Sequence, residues 1–321
     1  MAANQSSSSD PSAISVHTNR YPELTSRVAL GLPRTRQVTR DELSSWSRAD
    51  IRTLWVALRE MNTCEHIFKS WIEHFDNVEL GRQTRHEIRI RHQINQLHAQ
   101  AQIALLATEK IVDAYQRFSE IMAERLRRAA ELDGRLTQDS RVVDTANFVG
   151  EYSAEVSRHV ATMCENLRTL VSTLEETHDR KPNFMDRIIM WLENVFVALF
   201  QAAAMAARSY MPNGIFVGGA LSIGSTISSA AAAITADLDN RGQSSETFRT
   251  ILQLLRERIP HEANRVAESL RVFDGCHRAF RLELEVRERE LSIDVDVAQQ
   301  AEEDWRCTTV QLQLVRPCRV E

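Results

Sequence analysis

Between Ile188 and Ala236 the chain runs for 49 residues with two charged side chains, Glu193 and Arg208, in a protein that is 26% charged overall. A segment this poor in charge cannot stay in water, so it needs either a protein core or a bilayer to cover it. The turn residues Pro212, Asn213 and Gly214 divide the run into two arms, Ile188 to Ala207 and Ile215 to Ala236. As a helix each arm rises about 30 Å, the thickness of a bilayer's hydrocarbon core. The second arm holds no charge, but its Gly, Ser, Thr and Ala bring its mean hydropathy to only about 1.5. That value is marginal for a permanent transmembrane helix.

Within the hairpin, taken as 186–237, the residues expected to insert into a membrane are Trp191, Leu192, Val195, Phe196, Leu199 and Phe200 in the first arm. The second arm carries Ile215, Phe216, Val217, Leu221, Ile223 and Ile227. Ala220, Gly224, Ser228, Ala232 and Ala236 recur every fourth residue, a smooth helical stripe on which another backbone can approach closely. The glycines of Gly219-Ala-Leu-Ser-Ile-Gly224-Ser225-Thr226 have the spacing of a phosphate-binding loop, yet Ser225 stands where the phosphate-binding lysine must be. Helix packing accounts for the same glycines without a missing lysine. Pro182, Pro212 and Gly214 mark the expected hinges of the element.

The flanks read as long amphipathic helices. Thr39-x-x-Glu42 and Ser47-x-x-Asp50 both resemble helix N-terminal caps, and Ile51, Leu54, Leu58 and Met61 follow at helical spacing, with the helix continuing toward Phe75. After a break at Asn77 to Gly81, Ile90, Ile94, Leu97, Ala101, Ala104, Thr108, Ile111, Tyr115, Phe118 and Met122 alternate steps of three and four, predicting a helix that ends at Asp133-Gly134. The pattern returns in Val142, Thr145, Val149, Tyr152, Val156, Val160, Met163, Leu167, Leu170 and Leu174, predicting an antiparallel partner. Beyond the hairpin, Phe248, Ile251, Leu255, Ile259, Val266, Leu270, Phe273, Phe280 and Leu284 form a further stripe, in which Pro260 should kink the helix without ending it. At the C-terminus Ile293 to Val297 and Val310 to Leu314 alternate with period two, which favours short strands, with a helical continuation as the alternative.

The fold class expected is therefore all-α: an elongated bundle of long antiparallel helices around a central apolar helical hairpin. Residues 1–38, rich in Ser and with Pro11, Pro22 and Pro33, read as a disordered leader, and 39–321 as one helical-bundle domain. Composition agrees, with 10 Gly, 7 Pro and 6% aromatics.

The chemistry-bearing residues do not form an enzyme pattern. Cys64, Cys164, Cys276, Cys307 and Cys318 are odd in number and widely spaced, as in reduced cytosolic proteins. His86, His92 and His98 are six residues apart and fall on different sides of a helix, so they cannot share a metal, and Glu175-x-x-His178 occurs once where a di-iron bundle needs two copies. No nucleophile elbow is present. We expect no catalytic residue, no metal and no cofactor. A net charge of −5 argues against nucleic acid as a partner. The basic runs Arg85 to Arg91 and Arg125 to Arg128 are interrupted or preceded by Glu87 and Glu124 and read as solvated helix faces. The N-terminus lacks a basic and an apolar region of a secretory signal, so the expected location is cytoplasmic in a soluble form and membrane-associated when active.

Long amphipathic helices on either side of a central apolar hairpin resemble the organisation of the α-helical pore-forming toxins, of the cytolysin A and tripartite enterotoxin type. The resemblance is one of layout and spans roughly residues 47–293. It implies that the hairpin lies against the bundle in a soluble form and swings out into a lipid membrane, in a homo-oligomer or beside a related helical subunit. Two other readings stay open on the residues alone: a hairpin-anchored membrane protein, and a soluble cytosolic scaffold whose hairpin is buried core.

Overall fold

The computed structural model describes residues 39–77, 85–132, 139–180, 249, 251–288 and 293–315. All regular structure among these residues is helical: α1 (Arg40–Asn77), α2 (Arg85–Glu131), α3 (Ser140–Arg180), α4 (Ile259–Glu288), entered through a π-helical turn at Leu254–Arg258, and α5 (Val295–Val315). The all-α expectation holds. The predicted leader lies outside the described residues.

Each helix is selected by the spacing of its apolar side chains. All ten residues of the predicted α2 stripe, from Ile90 to Met122, are buried, and so are nine of the ten in α3, with Tyr152 half-buried. Thr108 and Thr145 belong to these stripes without leaving an unpaired hydroxyl, since they donate to the carbonyls of Ala104 and Arg141 one turn back at 2.8 and 3.0 Å. The 47 residues of α2 give a rod about 70 Å long. Its pairing with α3 is antiparallel: Arg141 meets Glu124 at one end, and Gln93 meets Thr173 and Arg89 meets Glu176 toward the other.

Of the two candidate caps for α1, Thr39 is used. The helix begins at Arg40, and the Leu43 amide donates to the Thr39 carbonyl at 3.3 Å. α3 is capped by Asp139, whose carboxylate accepts the Arg141 amide at 3.0 Å.

α1 packs on α2, α2 on α3, α3 on α4, and α4 returns to α1, so four helices enclose one core. α5 lies against α2 and α1. The apolar cluster is continuous through all five helices, with Phe68 and Trp71 from α1, Tyr115 and Phe118 from α2, Phe273 and Phe280 from α4, and Trp305 from α5 among its largest members. Burial of this set from water is the main term holding the bundle together.

Two expectations are refined here. The α4 stripe continues through Pro260, and the five residues up to Arg258 form a π turn in which the Ile259 amide donates to the Leu254 carbonyl. Proline has no amide hydrogen and its ring crowds the carbonyl four residues back, so a wider turn just before it relieves both problems. The short strands expected near the C-terminus are a misreading, because α5 covers both segments. Asp294 caps that helix, accepting the amides of Asp296 and Val297 at 2.9 and 3.4 Å, and buried Ile293 and Ala298 flank the cap as a hydrophobic staple. Ala298, Ala301, Trp305, Thr308 and Leu312 are buried at steps of three and four, whereas Val310 and Leu314 are 55% and 67% exposed. The helical period over 21 residues overrides a five-residue alternation.

Candidate functional site

The predicted membrane-inserting residues, Trp191, Leu192, Val195, Phe196, Leu199, Phe200, Ile215, Phe216, Val217, Leu221, Ile223 and Ile227, lie outside the described residues. The packing stripe Ala220, Gly224, Ser228 and Ala232, the hinge residues Pro182, Pro212 and Gly214, and the glycine motif at 219–226 lie outside them as well. The structure does describe the helical ends that enter and leave this low-charge run.

Those ends are neighbours. Glu175, near the end of α3, pairs with Arg256 of the π turn at 2.6 Å, although the two stand 81 positions apart in sequence. Behind this exposed pair Leu170, Val171 and Leu174 of α3 and Ile251, Leu254, Leu255 and Ile259 are all buried. Farther along the seam the Cys164 thiol donates to the Pro260 carbonyl at 3.9 Å. On the α2 side Gln93 donates to the Thr173 hydroxyl at 3.0 Å, and that hydroxyl donates in turn to the Thr169 carbonyl at 2.9 Å. The end of α3 and the start of the π turn are thus joined at one place, by apolar packing with a polar fringe.

The remaining chemistry-bearing side chains are distributed, not gathered. His92 pairs with Gln96 at 3.1 Å and His98 with Glu65 at 3.0 Å, each with its own partner. Among the described residues no group of His, Cys, Asp and Glu is placed to hold a metal ion. Burial, reinforced by Glu60 and Cys164, raises the Cys64 thiol well above its ordinary range, so it is a neutral core side chain. Cys164 is raised by burial too. The basic runs are not wholly solvated faces: Arg125 and Glu87 are buried at 2% and 5%, whereas Arg127 and Arg128 are about half exposed and pair with Glu131 and Glu124.

One residue escaped the sequence reading. His277 occupies the step between Phe273 and Phe280 in the α4 stripe and is fully buried. A count of apolar residues passes over it. Its position three and four residues from two core phenylalanines was the available signal.

No helix among the described residues is long and apolar enough to cross a membrane. No protein-family model matches the chain, and no curated protein matches it. Among solved structures it is similar to soluble SmhA of the tripartite alpha-pore forming toxin Smh from Serratia marcescens. That likeness has 14% identity and a TM-score of 0.29, over 83% of this chain and 93% of the other. A score at that level gives no residue here a role.

Proposed function

We propose that this protein is a non-catalytic, membrane-active helical protein whose 186–237 hairpin enters a bilayer after leaving the bundle, in a homo-oligomer or beside a related helical subunit, to form a pore. One observation carries the reading: 49 residues with two charges sit between helices long enough to form a bundle of their own. The pairing of Glu175 with Arg256 supports it, because the described helices before and after the run meet there.

The energetics suit a two-state element. A protein core and a bilayer both remove apolar surface from water, so the two locations compete closely, and a marginal mean hydropathy keeps either from dominating. Arg208 sits beside the turn. It costs about 2.5 to 3.5 kcal/mol at mid-bilayer and much less at the far interface. Glu193 and Trp191 belong near the entry interface, where tryptophan is favoured. The stripe of Ala220, Gly224, Ser228 and Ala232 would let neighbouring hairpins pack.

Purified protein is expected to float with liposomes and to release an entrapped dye. The double variant Gly224→Leu, Ser228→Leu should still bind lipid but release dye more slowly. Intact vesicles and no flotation, across anionic, zwitterionic and sterol-containing compositions, would overturn the reading in favour of a scaffold with a buried hairpin. Insolubility without detergent would point to a constitutive anchor.

A further inference from the structure

Where α2, α4 and α5 meet, the core holds a titratable group that the proposed membrane activity does not use. The His277 ring is 0% exposed. Phe118 meets it edge-on at 4.4 Å between centroids, Tyr115 likewise at 5.7 Å, and Phe273 lies parallel to it at 6.1 Å. Trp305 of α5 closes the same cluster against Phe118 and Phe280 at 5.6 and 6.2 Å. Among the described residues neither ring nitrogen has a hydrogen-bond partner.

A neutral imidazole in this cage behaves as one more aromatic disc, but among the described residues an imidazolium would have no hydrogen-bond acceptor and no counter-charge. The described charges that act on it are Arg281 and Arg278 of its own helix, both cations. Arg278 is paired with Asp274 at 3.0 Å, and both lie against Gly150 of α3. From α2 the ring is faced by the Tyr115 phenol and Phe118, and α5 brings Trp305 to the cluster. Burial first, then Arg281 and Arg278, push His277 down from its ordinary 6.5 to about 4. His159 is also lowered, by burial and then Arg158, but its Nδ1 meets Gln100 Oε1 at 2.6 Å and Glu155 lies 4.0 Å away, so a proton there has partners.

We propose that His277 is an acid-sensitive latch, whose protonation opens the seam between α4 and the α2–α5 face. The direction follows from linkage. A folded value below the unfolded one means that the closed seam binds fewer protons than the open one. Its stability is complete above pH 6.5 and falls as pH drops toward 4, by up to one proton per molecule.

The test uses the full chain without lipid, so it stands apart from the membrane reading. Amide hydrogen exchange, corrected for intrinsic rates, is compared at pH 7.5 and 5.0 for peptides spanning 268–283 and 300–312, with 90–105 as internal reference. For an opening that exposes the ring, protection should fall about 30-fold at pH 5.0 in the first two and not in the reference. In His277→Phe, which keeps an aromatic disc, the fall should vanish. An equal fall in the variant, or no fall in the wild type, overturns the latch. If His277→Phe does not fold, the imidazole resonance of the wild type decides. Titration near pH 4, or only on opening, supports the latch, and titration near 6.5 with the bundle closed overturns it.

Discussion

At the scale of single residues, two glycines separate backbone cost from packing. Gly275 lies in α4 where, beyond its own helix backbone, no atom of the described residues comes within 4 Å of the point where a Cβ would stand, so Gly275→Ala should stabilise by about 0.5 to 1 kcal/mol through helix propensity alone. Gly150 differs. A Cβ there would come within 2.0 Å of Arg278 Nη2 and 3.0 Å of Asp274 Oδ1. The Arg278 side chain is 55% exposed and can swing away, so Gly150→Ala trades the same propensity gain against an exposed ion pair worth about 0 to 1 kcal/mol. Urea unfolding of both variants checks this: Gly275→Ala should move the midpoint up and Gly150→Ala much less. Asp139 offers a further test. Its hydrogen bond from Arg141 holds its carboxyl below the ordinary range, and Glu124 is lowered first by the same arginine. These folded values lie below the unfolded ones, so their contribution is present above about pH 4 and is lost as pH falls through the folded values. In equilibrium unfolding against pH, Asp139→Ala should cost about 1 kcal/mol at neutral pH as a lost cap and should flatten the slope below pH 4. It should leave the slope just below pH 6.5 untouched, where His277 and His159, both lowered from 6.5, contribute.

At the scale of elements, what the sequence revealed depended on window length. The stripes of α2 and α3 hold over more than thirty residues, so their period survives an occasional threonine, and nearly every member is buried. In α5 the visible signal was two five-residue alternations, too short to separate a strand from a capped helix. The deciding features were Asp294 and the distant partner of Trp305, whose indole donates to the Leu43 carbonyl at 3.1 Å. Arg40 adds a two-pronged pair with Asp304 at 2.9 Å, bringing the first and last described helices together. Contacts across more than 260 residues leave no local trace, whereas the helical period from Ala298 to Leu312 was there to read and was passed over for the shorter alternations. Trp305→Ala should cost about 3 to 5 kcal/mol by emptying the cluster, whereas Trp305→Phe should lose little beyond the indole hydrogen bond, about 1 kcal/mol. Thermal unfolding of both would check it; equal losses would mean that the hydrogen bond, not the ring volume, fixes α5.

At the scale of the whole molecule, the bundle explains how a chain can carry a run that water rejects. The stripes of the five described helices share one apolar cluster. Composition could indicate an all-α chain, but it could not show that the helices before and after the run meet, because Glu175 and Arg256 are each unremarkable charges on a helix surface. Their meeting also makes the segment between them a closed loop. A closed loop has no free end to thread. On the proposed reading, a crossing that keeps both ends on one side takes an even number of passes, so an outward pass by one arm requires a return pass by the other.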